Sequence, residues 1–236
     1  YLSTEAGLRN GSIWANCMWL KGVVMKAHYN GLIPRNPFIQ FHISPNVKER
    51  EYLTEDELKA VMTHEFADSK LAYIRDIFIF ASFTALSFVV IQELTNDNIV
   101  EVNGEKWILS KRHKTKVAFQ VKLLDIPLQI VERYRPMQKD NRIFPGLNYW
   151  SICKPLKRMI RECGITKSIS FHCSRHGFAT LALSKGMPIE SVSRVLGHTN
   201  IVTTQLYAKI TTQKLDNDLT MFGDKLSKTF NGITMS

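Results

Sequence analysis

Apolar residues recur along most of the chain at spacings of three and four, so helices dominate the reading. Over 12–29, Ile13, Cys17, Leu20, Val24 and Ala27 share one helical face, with Gly31 as the stop and Pro34 and Pro37 beyond it. This predicts one long amphipathic helix. The polar, proline-containing stretch 37–50 reads as a linker. Thr54 and Glu57 have the spacing of a capping box, opening a helix that reaches Val61. A second helix over 69–86 sets Leu71, Ile74, Phe78 and Ala81 on one face and is apolar enough to be central in a core.

The period then changes. Short runs at 99–102, 106–111 and 117–123, the first two joined by the turn signal Asn103-Gly104, predict a small antiparallel sheet. Helices return at 127–134 and 149–162, and the latter lines up Lys154, Lys157, Arg158 and Arg161. Within 171–207, Gly186 marks a helix end, Pro188 the first turn of the next helix, and Gly197 its stop, which leaves His198 in the joint. A further helix starting at Thr199 or Asn200 is predicted to carry Tyr207, and in 211–236 Leu215, Leu219 and Phe222 fall at helical spacing. The predicted fold class is mainly α with a small antiparallel β-sheet, in two parts, 1–46 and 47–236. Tyr1 opens in what reads as the middle of a helical domain, so the chain is expected to be a piece of a longer protein.

Composition narrows the function classes. With 44% hydrophobic and 22% charged residues, the 236-residue chain is globular, not disordered. Lys and Arg outnumber Asp and Glu by 31 to 21, a net charge of +10, which favours a polyanion such as nucleic acid. In the first fifty residues six basic side chains face two acidic ones, which fits a DNA-facing side and a solvated helix equally. Cys17, Cys153, Cys163 and Cys173 form no C-x-x-C pair and read as reduced, buried thiols. No metal cluster, signal peptide or bilayer-length apolar run is visible, so a soluble cytoplasmic protein without a cofactor is expected.

The candidate chemistry lies in 171–207. His172 and Arg175, three apart, share a helix face, and His198 and Tyr207 follow on the next elements. Two imidazoles, a guanidinium and a phenol suit an anionic substrate better than a metal. A phenol, with a pKa of about 10, is a poor nucleophile at neutral pH unless cations favour the phenolate. Arg175 suits an anion, since its fork can bind two oxygens and keeps its charge.

At these residues the chain resembles the tyrosine recombinases, the phage-integrase family. The match is His172-Cys173-Ser174-Arg175, then Leu196-Gly197-His198, then Thr203-Thr204-Gln205-Leu206-Tyr207. The resemblance implies a catalytic domain over 47–236, preceded by the end of a helical core-binding domain over 1–46. It implies site-specific cleavage and rejoining of double-stranded DNA through a 3′-phosphotyrosine on Tyr207, with His172 in an acid–base or phosphate-orienting role, His198 hydrogen-bonded to the phosphate oxygen, and no cofactor. It also implies a tetramer on DNA, tail segments that pack in cis or in trans, and room for accessory DNA-bending proteins. The family's acid is a hairpin lysine: Lys114 fits that place, with Lys116 the competitor, and Lys154, Lys157, Arg158, Arg161 and Lys116 are candidate phosphate contacts.

One departure matters. Where most members have Thr-Gly-Leu-Arg, this chain reads Thr84-Ala85-Leu86-Ser87, and the acidic position that follows is Val90. Integrases of conjugative elements and related Bacteroidetes-type proteins commonly depart there, which places the chain in that branch and implies integration or excision of a mobile element. Arg112 is the candidate substitute cation, because residues two apart on a strand point the same way and Arg112 could enter the site with Lys114. Arg75 is the weaker choice. The alternatives are a DNA-binding protein that kept the fold and lost catalysis, and a type IB topoisomerase, against which the compact Leu-Gly-His to Tyr spacing speaks.

Overall fold

The computed structural model describes residues 2–42, 44, 51–111, 118–138, 140–208 and 212–229, and it divides into two units, Tyr1–Arg50 and Glu51–Ser236. In the first, α1 (Asn10–Tyr29) is the predicted helix. Its end closes as a Schellman turn: Gly31, at φ +71°, donates to His28 O, and Leu32 donates to Ala27 O. The half-buried stripe runs through Ile13, Cys17, Lys21, Val24 and Ala27. Leu20, placed on it by spacing, is 46% exposed. Lys21 takes its place because its ammonium donates to the Phe41 carbonyl at 3.3 Å, drawing the aliphatic stem along the returning segment. No residue of α1 is fully buried.

In the second unit α2 (Glu55–Thr63) opens with the capping box: Thr54 N–H donates to Glu57 Oε2 at 2.7 Å, and Glu57 N–H to Thr54 Oγ1 at 3.3 Å. α3 (Ser69–Thr84) is the central helix of the core, as its apolar composition suggested, with buried residues on every face beyond its first turn. Leu71, Ile74, Ile77, Phe78 and Phe80 are each at most 1% exposed, and each contributes about 1.5–3 kcal/mol on burial. α5 (Asp125–Tyr134), α6 (Tyr149–Glu162) and α7 (Cys173–Ser184) pack around it. The buried carboxylate of α3, Asp76, is tolerated because Arg75 Nε, Arg133 Nη1 and Tyr134 Oη donate to it at 2.9, 2.7 and 2.8 Å. Arg75 Nη1 also donates to His64 O, so this arginine belongs to a structural network.

α3 stops at Thr84, short of the predicted 86, because Ala85 turns left-handed at φ +58°. After α4 (Phe88–Glu93), β1 (Ile99–Val102), β2 (Glu105–Lys111) and β3 (Ala118–Lys122) form an antiparallel sheet in the order β1-β2-β3. Asn103 and Gly104, both at positive φ, make the tight β1–β2 turn. Ile108 pairs with Val121, and both are buried with Phe119. Arg112, Lys114 and Lys116 lie outside the described residues.

A smaller cluster, Ala85, Ala179, Leu183, Val192 and Leu196, joins the end of α3 to α7 and α8 (Ile189–Leu196). Pro188 is the cap of α8 and not its first residue. α9 (Val202–Gln205) is short, and α10 (Thr212–Thr229) exposes Leu215, Leu219, Phe222 and Leu226. The four cysteines are free, but only Cys173 is buried; the other three are half-buried. Among the described residues no helix is long and apolar enough to cross a membrane.

Candidate active site

Three neighbouring segments build the site: the first turn of α7, the α8–α9 joint, and the turn after α9. His172 is the N-cap of α7 and its side chain is exposed. One turn on, Arg175 is 6% exposed. Its Nη1 donates to Ala85 O at 2.6 Å and its Nη2 to Leu196 O. Both acceptors sit at helix C-termini, of α3 and α8, where the aligned peptide dipoles leave partial negative charge. These two acceptors help a guanidinium, ionised at all ordinary pH, to be buried here. Arg175 thereby ties the ends of two helices to a third.

Gly197, left-handed at φ +54°, ends α8, and His198 N–H closes the turn onto Ser193 O at 2.9 Å. His198 Nδ1 shares a 2.8 Å hydrogen bond with the hydroxyl of Thr204, a residue with no exposed surface. This bond fixes the ring's orientation. Tyr207 is not on a helix as the spacing suggested. Asn200 Oδ1 accepts from Val202 N–H at 2.9 Å, α9 begins at Val202 and ends at Gln205, and Tyr207 lies in the turn beyond, its N–H on Thr204 O at 3.0 Å. Asn200 thus closes an Asx turn ahead of a short helix whose N-cap is Ile201. The half-buried Tyr207 packs on the smaller cluster, and its ring meets His176 at a centroid distance of 5.1 Å.

The structure thus places His172 and Tyr207 in ring contact with His176, with Arg175 on the same helix and bonded to the end of α8 that leads into His198, as one candidate site. The sequence reading missed three members of it: His176, the Ala85 carbonyl and Thr204. His176 was findable, since His172, Arg175 and His176 follow the i, i+3, i+4 rule for one helix face. Ala85 O was not, because its role depends on a left-handed residue. Ser87 is half-buried at the N-cap position of α4 and Val90 is buried.

Lys154, Lys157, Arg158 and Arg161 are all exposed on α6. Arg158 is engaged by Glu162 at 2.8 Å and Asp68 at 3.2 Å. The other three have no carboxylate within 4.0 Å among the described residues. Trp150, 84% exposed, stands at i−4 from Lys154 on the same helix and was not singled out by the sequence reading.

Residues 51–214 match the model of the phage integrase family. The chain belongs to that family. It is 32% identical over 177 residues to the tyrosine recombinase XerA of Pyrococcus horikoshii, a match covering 69% of this chain and 58% of that protein. The chain thus spans a little over half the length of this relative. To the tyrosine recombinase XerC of Lactobacillus leichmannii it is 25% identical, over 91% of this chain and 77% of the relative. Among solved structures, the Tn1549 transposon integrase in complex with circular intermediate DNA superposes with a TM-score of 0.76 at 18% identity, over 92% of this chain and 81% of that one. The likeness bears out the predicted fold class, mainly helical with a small antiparallel sheet.

Proposed function

We propose that this integrase-family chain is a site-specific DNA recombinase acting through Tyr207. The observation that carries the reading is the ring contact of Tyr207 with His176, which in turn meets His172, on a helix whose buried Arg175 is bonded to the end of α8, with His198 just beyond that end oriented by Thr204. Arg175 neutralises the non-bridging oxygens of the scissile phosphate, and His172 and His198 hold and orient them. The Tyr207 oxygen attacks phosphorus and its proton passes to a base, for which His172 is the candidate. The P–O5′ bond breaks, and the leaving oxygen takes a proton from Lys114. A 5′ hydroxyl of a second duplex then attacks the phosphotyrosine, restoring the phenol and conserving the bond energy.

The substituted arginine position, Ser87, supports placement among integrases of mobile or conjugative elements of the Bacteroidetes type, acting in the cytoplasm. Arg112 is the proposed replacement cation: Arg112→Ala should abolish cleavage and spare DNA retention, and near-normal cleavage would sink it. Lys154, Lys157 and Arg161 are proposed phosphate contacts, with Arg158 held partly by its carboxylates. Residues 1–46 would form the end of a core-binding domain and 47–236 the catalytic domain. The exposed stripe of α10, Leu215, Leu219, Phe222 and Leu226, would dock on a neighbouring protomer in a DNA-bound tetramer.

Incubation with nicked site DNA tests the reading. An SDS-stable adduct that Tyr207→Phe lacks is the expected result; retention of site DNA without any adduct would favour a binding protein that has lost catalysis.

A further inference from the structure

α7 carries a third polar side chain on the face of His172 and Arg175. His176 is 8% exposed, and its ring lies between two others: His172 edge-on at 4.8 Å and 86°, and Tyr207 at 5.1 Å and 48°. Tyr207 sits past a four-residue helix, in a turn, its N–H bonded to Thr204 O at 3.0 Å, with Gln205 and Leu206 exposed before it. α7 is pinned, since Arg175 is bonded to the ends of α3 and α8. A residue adjacent to that anchor is a rigid wall.

We infer that His176 is the positioning residue for the nucleophile, its ring holding the Tyr207 phenol in line with the phosphate. This rests on the reading of Tyr207 as the attacking residue. Transfer to phosphorus needs the attacking oxygen in a near-attack geometry, and a displacement of about 1 Å costs up to about a hundredfold in rate. The contact at issue is between ring faces and edges, so bulk without a ring does not replace it.

The test uses the full chain on a nicked site that traps the adduct. His176→Ala and His176→Leu should each slow adduct formation at saturating DNA by about tenfold or more, with DNA affinity within about twofold of wild type. His176→Phe, which keeps a ring, should recover to within about threefold. A wild-type rate in Leu, or a rate in Phe as slow as in Leu, overturns the inference, and both variants keep the seat filled should Ala unfold. In a Tyr207→Phe background, added hydrogen peroxide can attack the same phosphorus without the tyrosine. That cleavage should be unchanged by His176→Leu; an equal loss there would assign His176 to phosphate binding and refute positioning. If wild type forms no adduct, the recombinase reading fails and this inference falls with it.

Discussion

Arg175→Lys keeps a positive charge in the site but removes the fork that spans two helix ends. In wild type one guanidinium satisfies Ala85 O and Leu196 O, both in a region closed to solvent. A hydrogen bond from a charged donor contributes about 1.5–3 kcal/mol net, and a buried acceptor left without one costs a similar amount. A lysine ammonium reaches one carbonyl and abandons the other, so the variant should lose about 1.5–3 kcal/mol of stability. For a unit of this size that is a fall in melting midpoint of about 3–12 °C. Arg175→Ala, abandoning both carbonyls, should fall further. Thermal and urea unfolding of the three proteins, read by tryptophan fluorescence, measures the series, while adduct formation reports the chemistry. Lysine should also fail in cleavage, because it cannot bind two phosphate oxygens in one plane. A variant within about 0.5 kcal/mol of wild type, the spread of neutral surface changes, would refute the claim that this arginine braces the fold.

Thr204→Val keeps the shape but takes the hydroxyl from His198 Nδ1; cleavage should fall about tenfold through the loosened imidazole, with recovery in Thr204→Ser, and a valine variant at wild-type rate would deny the orienting role. Burial pushes the Glu57 carboxyl up, but the hydrogen bonds from Lys167 and Thr54 and the Lys167 charge outweigh it and hold the group below its ordinary range. A depressed folded pKa means stability that is present above the ordinary carboxylate value of about 4.3 and lost as pH falls through the folded value. The urea midpoint gap between wild type and Glu57→Gln should therefore shrink from pH 7 to pH 3, and a gap independent of pH would contradict the sign. Leu219→Asp with Phe222→Asp should leave the monomer's melting midpoint within about 2 °C, because both side chains are exposed, and should reduce the species sedimenting on DNA; an unaltered assembly would remove α10 from the proposed interface.

Much of the element order is legible in the chain because its signals are local. The Thr54–Glu57 box, the Asn103-Gly104 turn, and the stops at Gly31, Gly186 and Gly197 each depend on residues within one turn of the backbone. One failure occurs where a distant partner intervenes. Leu20 yields its place on α1 to Lys21 because Phe41 O accepts the ammonium. The apolar composition of α3 marks it as central in a core, but that α5, α6 and α7 are the helices enclosing it depends on distant residues. The predicted helix under Tyr207 fails because α9 ends at Gln205, a boundary that no glycine or proline marks in the sequence.

The sequence by itself determined the side chains of the site. His172, Arg175, His198 and Tyr207, in order and at their spacing, are enough to identify the family and to suggest phosphate chemistry. Tertiary structure decided how those groups are held. A left-handed alanine at the end of α3 turns a carbonyl toward Arg175 from ninety residues away, a buried threonine aims His198, and His176 walls in a tyrosine that its own helix does not reach. The physical reason is range. Capping and turn formation are completed within a few residues, whereas satisfying a buried cation and seating an aromatic ring require atoms that only the folded chain brings together.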